Sequence, residues 1–214
     1  MDEIQVRNLT IAFEQPILKD LNFTASSGDW ITLVGKSGSG KSLFLKALAR
    51  LHLLNSGRIS LNGINYQDYA IGEYRLNVSY VVQAAQLFGE TVRDNLDLPF
   101  LVRKLAPDIQ KQLNGLTQMD LSAIDLDRPI TELSGGQKQR IGLLRNLLFP
   151  PKVLLLDEIS TGLDEETKEL IWSVLKQIHH DENNIILSVT HDHDEIKAAE
   201  QIYTFESGQM RKIK

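Results

Sequence analysis

Gly35-Lys36-Ser37-Gly38-Ser39-Gly40-Lys41-Ser42 decides the fold. It follows a short apolar run, Ile31-Thr32-Leu33-Val34, and leads into Phe44, Ala47, Leu48 and Leu51, which share one helical face. A strand, a glycine-rich turn and a helix carrying G-x-x-x-x-G-K-[ST] is the arrangement of a nucleotide phosphate loop. The order has a physical reason. Glycines let the backbone curl so that successive N–H groups point at phosphate oxygens, and the helix adds the positive end of its dipole. Lys41 is placed to bridge the β- and γ-phosphates, and the Ser42 hydroxyl to ligate Mg²⁺. Gly35, Ser37, Gly38, Ser39, Gly40 and Leu43 complete the expected nucleotide-binding stretch. The competing reading is a flexible Gly/Ser loop, and the strand and helix on its flanks weigh against that.

Further strand-like runs lie outward from the loop: Val78-Ser79-Tyr80-Val81-Val82, Val153-Leu154-Leu155-Leu156 and Ile185-Ile186-Leu187-Ser188-Val189. Short continuous apolar stretches of this kind belong to parallel strands buried on both faces. Ile171, Val174, Leu175 and Ile178 mark a helix after Asp164, a plausible cap, with Glu165 and Glu166 as an acidic first turn. The alternation predicts an α/β fold with a mainly parallel sheet between helices. Ile4 to Phe13 and Gly57 to Gly63 read as a small antiparallel β subdomain. Strand signals fade from about Ala84 to Leu133, where Pro107 opens a short helix with Ile109, Leu113 and Leu116 on one side. The expected division is a core over 1–83 and 148–214 and an inserted α-helical subdomain over 84–147.

With 214 residues, the chain has the length of one domain. It carries no cysteine, which excludes a disulfide framework, a thiolate metal site and a cysteine nucleophile. The net charge of −5 argues against a nucleic-acid partner bound through a broad basic field. No apolar run reaches the roughly 18–20 residues needed to span a bilayer, so direct bilayer insertion is not expected. The opening MDEIQVRNLT is unlike a secretory signal, and the expected location is cytoplasmic.

The strand Val153-Leu154-Leu155-Leu156 ends in Asp157-Glu158. A carboxylate at the C-terminal end of such a strand can hold Mg²⁺ through water, the role read for Asp157. Glu158 can polarise a water for in-line attack on the γ-phosphate. Leu133-Ser134-Gly135-Gly136-Gln137 leads into a helix face made by Ile141, Leu144, Leu147 and Leu148, with Ser134 at its cap. That is a second helix N-terminus suited to an anion. One phosphate site is already assigned, so this one reads as contacting the γ-phosphate held by a second copy of the chain.

With these four elements in order, the sequence resembles the nucleotide-binding domain of ABC-type ATPases over essentially its whole length. The resemblance implies that Ser134, Gly136 and Gln137 complete the ATP site of a partner copy. It implies that Gln83 is the glutamine that touches Mg²⁺ and the attacking water, that Asp164 lies at the dimer seam, and that His191 contacts the γ-phosphate. It also implies that Phe13 stacks on adenine. Lys36 departs from the family, which commonly has Pro there, and Ile159 follows Glu158 where Pro is usual. A narrower resemblance, in Leu87 to Leu96, Pro99-Phe100 and Arg103, is to FetA-type ATP-binding subunits of iron exporters. The implied protein is an ATPase that dimerises head to tail around two MgATP and drives a separate transmembrane permease. It would be peripheral on the cytoplasmic face of the membrane. The alternative is a soluble ABC ATPase for assembly or scaffolding.

Overall fold

The computed structural model describes residues 1–82 and 86–214. The chain begins with three strands, β1 (Glu3–Ala12), β2 (Pro16–Ser26) and β3 (Trp30–Gly35), followed by helix α1 (Lys41–Leu48). Then come β4 (Ser56–Leu61), β5 (Ile64–Asn65), α2 (Ile71–Asn77) and β6 (Val78–Val82). Helices α3 (Val92–Leu101), α4 (Ile109–Gln118) and α5 (Gly135–Leu147) form the middle. The remainder is β7 (Val153–Asp157), α6 (Glu165–Glu182), β8 (Ile185–Val189), α7 (His193–Ala198), β9 (Gln201–Glu206) and β10 (Gln209–Lys212). Two compact units result. One comprises residues 1–80, 151–159 and 182–214, the other 81–150 and 160–181.

The first unit holds the small antiparallel sheet, ordered β2-β1-β4-β5. In β1 the buried residues are Ile4 and Val6, then Leu9 and Ile11, so the two-residue alternation slips by one. The slip falls where the pairing register shifts, at Asn8 with φ +51°. A bulge there keeps both halves of the strand facing the core. The larger sheet has the order β10-β9-β3-β8-β7-β6. Its centre is parallel: Ile31 pairs Leu187 of β8, and Thr32 pairs Ile202 of β9. Every residue of β7 and β8 is buried, as the continuous apolar runs predicted.

Helix α1 is anchored from the side and at its end. Phe44 is fully buried, with its ring 5.6 Å from those of both Phe23 and Phe205. The fully buried Tyr74 donates its hydroxyl to the carbonyl of Leu48 at 2.7 Å, satisfying a carbonyl in the last turn. Leu51, read as part of the same helical face, lies beyond the helix and is exposed.

The second unit is helical. Thr91 and Asp94 form a reciprocal capping box at the head of α3, and α3 buries Val92, Leu96 and Phe100. Asn95, fully buried, closes the preceding loop by donating to the carbonyls of Phe88 and Thr91 and accepting from the Phe88 amide. In α4 the expected face is rotated. Leu116 is buried, but Ile109 and Leu113 are exposed. The inward positions are Gln112, Gly115 and Leu116. Gln112 donates to Asp97 at 2.6 Å, and Gly115 packs so tightly that a Cβ would stand 2.6 Å from a methyl of Leu144. A glycine contact and a buried amide, rather than the apolar stripe, set the helix's rotation. Among the described residues, no helix is long and apolar enough to cross a membrane.

Candidate active site

The loop between β3 and α1 takes its shape from glycine conformation. Gly40 caps α1 with φ +102°, and a Cβ there would run into Leu18, so no other residue fits. No side chain caps the helix, and its first-turn amides are left to other acceptors. The Ser39 hydroxyl is buried without a hydrogen-bond partner, a donor available to an anion's oxygen. Lys41 is 5% exposed and donates its ammonium to the carbonyls of Gly35 at 2.8 Å and Lys36 at 3.2 Å. Burial pulls its pKa below the ordinary lysine value, and the charges of Glu158 and Asp157 oppose that pull.

Asp157, at the C-terminal end of β7, accepts from the Ser42 hydroxyl on Oδ1 at 2.8 Å. Its Oδ2 accepts from the Tyr80 hydroxyl at 2.6 Å. Burial first, and Asp157 second, push the Tyr80 phenol up, so it stays a donor. Glu158 sits in left-handed backbone at φ +54°, its amide bonded to the carbonyl of Val189 at the end of β8. Strained backbone of this kind persists where the surroundings fix it, commonly at functional positions. The next turn brings His191 beside it, with Nε2 3.3 Å from Glu158 Oε1. The structure thus brings Gly35 to Leu43, Asp157, Glu158 and His191 into one unit. Phe13 is also in that unit, in the loop after β1. It is 66% exposed, with the His52 ring edge-on at 5.5 Å. Gln83 lies outside the described residues.

The residues expected to act in trans are in the other unit. Ser134 caps α5: its hydroxyl accepts from the Gln137 amide at 3.2 Å, and Gln137 Oε1 accepts from the Ser134 amide at 2.9 Å. Added Cβ atoms at Gly135 or Gly136 would meet only open space, so the helix head is accessible. Asp164 accepts from the Thr167 amide at 2.8 Å and from its hydroxyl at 2.9 Å. These bonds, with a smaller contribution from Arg140, hold its pKa below the usual carboxylate value. Tyr80 was missed by the motif reading. Its signal was a hydroxyl-bearing aromatic inside an apolar strand, which must find a partner when covered.

Phosphate-loop donors, a carboxylate tied to the loop serine and a second acid braced by histidine define a P-loop nucleotide hydrolase. Residues 18–161 match the ABC transporter family, and the chain belongs to it, as an ATP-binding ABC ATPase. It is 39% identical to the Escherichia coli K12 protein named "Probable iron export ATP-binding protein FetA", over 99% of this chain and 95% of that protein. It is 29% identical to the energy-coupling factor transporter ATP-binding protein EcfA1 of Levilactobacillus brevis, over 97% of this chain and 76% of the relative. It is 33% identical to the ATP-dependent lipid A-core flippase of Photobacterium profundum, of which it spans 37%. Among solved structures, a bacterial Atm1-family ABC exporter with ATP bound superposes with TM-score 0.87 over 97% of this chain, at 23% identity, a likeness of fold. ATP-binding subunits and exporters among these relatives imply a transmembrane partner for this chain.

Proposed function

We propose that this chain is the hydrolytic subunit of an exporter, closing head to tail with a second copy around two MgATP and driving a separate permease. The observation that carries the hydrolytic reading is the contact of Glu158 with His191 at 3.3 Å, on a backbone that also presents Asp157 to the phosphate-loop serine. The relative of near-equal length named for iron export supports a metal, iron in the first instance, as cargo. The working division is a core over 1–83 and 148–214 carrying the β subdomain and a helical subdomain over 84–147. The complex would sit on the cytoplasmic face of the membrane.

Phe13 stacks on adenine, and its 66% exposure leaves ring surface for the base. Gly35, Ser37, Gly38, Ser39, Gly40, Ser42 and Leu43 wrap the phosphates with backbone amides and hydroxyls. Lys41 exchanges its two carbonyl acceptors for β- and γ-phosphate oxygens. The donor set suits Mg²⁺: a hydroxyl and a carboxylate are hard oxygen ligands already 2.8 Å apart in Ser42 and Asp157, with Gln83 as the third assigned group. When bound, the ion neutralises charge building on the phosphates. Glu158 orients the attacking water and accepts its proton, while His191 holds Glu158 and reaches the γ-phosphate. Ser134, Gly136 and Gln137 of one copy close over the γ-phosphate of the other, and Asp164 lines the seam.

The test is Glu158→Gln, which keeps shape and removes the base. Turnover should fall on the order of 10²–10⁴-fold with ATP binding intact, and the ATP-bound dimer should persist in gel filtration. The same variant, captured from detergent-solubilised native membranes with MgATP, should bring a multi-span protein in stoichiometric amount. Recovery of soluble partners alone would replace the exporter reading with an assembly ATPase. Near-normal turnover would remove Glu158 from its assigned role.

A further inference from the structure

Asp157 has two carboxylate oxygens, and each is held by a different hydroxyl. Ser42 donates to Oδ1 at 2.8 Å, and Tyr80 donates to Oδ2 at 2.6 Å. The two bonds are not equivalent. Ser42 is the phosphate-loop serine: its oxygen has lone pairs to offer an ion while its proton remains on Oδ1, so this bond belongs to the ion site itself. Tyr80 stands on β6, outside the Gly35 to Leu43 stretch assigned to the phosphates. Its bond is in the short range of charge-assisted O–H···O⁻ contacts, about 2.5–2.7 Å.

An aspartate's terminal torsion is broad and roughly two-fold, so an Asp157 held by Ser42 at Oδ1 alone could still swing its carboxyl plane about that one bond. We infer that Tyr80 is a positioning residue that locks the Asp157 carboxylate through Oδ2, keeping Oδ1 aimed at Ser42 and the ion site. Tyr80 acts through Asp157 alone and touches neither nucleotide nor metal. The inference rests on the assignment of Asp157 to Mg²⁺ made above.

The experiment uses the full chain and a non-hydrolysable fluorescent ATP analogue, titrated in EDTA and again in saturating Mn²⁺. The readout is the gain in affinity that Mn²⁺ confers, which involves no turnover. Tyr80→Phe keeps the ring in its place in the sheet and removes only the hydroxyl. The gain should shrink about five- to tenfold, a part of the roughly 10- to 100-fold that one charge-assisted hydrogen bond is worth. Affinity in EDTA should stay within about twofold, since the phosphate loop is untouched. Asp157→Asn should shrink the gain further, and adding Tyr80→Phe to it should have no additional effect, because the two act through one contact. A merely structural tyrosine would lower the melting temperature and leave the Mn²⁺ gain alone, and that result would overturn the inference while leaving Asp157 in place. An unchanged gain in Asp157→Asn would instead overturn the assignment beneath it, and the inference with it.

Discussion

Gly40 at the head of α1 and Ser134 at the head of α5 both open helices that the sequence marks for anions, yet the two ends are built differently. At Gly40 no side chain caps the helix, Lys41 is buried beside it, and the Ser39 hydroxyl is left without a partner. At Ser134 the serine and Gln137 satisfy each other's amides, and the end is accessible. One end holds polar groups that are costly to bury without acceptors, and an anion relieves that cost. The other is satisfied as it stands. Poised donors cost the empty loop local stability that a bound anion would return, whereas the capped end is stable without one.

Lys41→Met gives the sharpest contrast. ATP turnover should fall about 10³-fold, the scale of removing a main charge-stabilising group. Nucleotide-free melting should not fall, because burial disfavours the lysine's charged form at neutral pH. A folded pKa below the unfolded one means that the unfolded chain holds the proton more firmly. The parent therefore gains on the variant as pH rises through the folded value toward the ordinary lysine value of 10.5, and denaturation across that range reads the change. A melting temperature well below the parent's at pH 7 would show that the buried ammonium stabilises the nucleotide-free fold.

Asn95→Ala strikes the second unit instead. It strips partners from the Phe88 amide and from the Arg145 guanidinium, which donates to Asn95 Oδ1 at 3.0 Å. The expected loss is about 2–3 kcal/mol of unfolding free energy, measured by urea denaturation. The affinity of the isolated chain for ATP should hold. Ser134→Ala should cost about 1 kcal/mol of stability without nucleotide, the usual worth of a serine cap, and lower turnover without altering the affinity of dilute protein for ATP. If its nucleotide-free stability matched the parent's, the Ser134 cap would contribute nothing measurable. The smallest effect belongs to Phe13→Ala. Affinity for ATP should weaken about fivefold, the equivalent of one aromatic stacking contact near 1 kcal/mol, with the melting temperature unchanged because the ring is 66% exposed.

Local signals in the sequence carried much of this architecture. Strands such as Val153 to Asp157 announce themselves because burial on both faces demands an unbroken apolar run, and the phosphate loop does because each residue type has one job at one spacing. What stayed hidden was tertiary. Ile109 and Leu113 follow helical periodicity but face outward, since the inward side of α4 is set by Gly115 against Leu144 and by Gln112 bonded to Asp97. Leu51 kept the helical spacing of α1 after the helix had ended. Tyr80 meets Asp157 across 77 positions of chain, a partnership no spacing rule encodes.

The place of β3 in the larger sheet also constrains how the molecule is made. β3 is an early strand, but its neighbours on both sides are β8 and β9, and the Trp30 indole reaches Ser188, 158 positions away. During synthesis at about 5–20 residues per second, β3 must wait unpaired until β8 and β9 have emerged. Residues 81–150 of the helical unit, by contrast, form one continuous segment that leaves the ribosome earlier. Nucleotide binding is thus acquired late, so a prematurely terminated chain would carry the phosphate-loop motif without the sheet that shapes it.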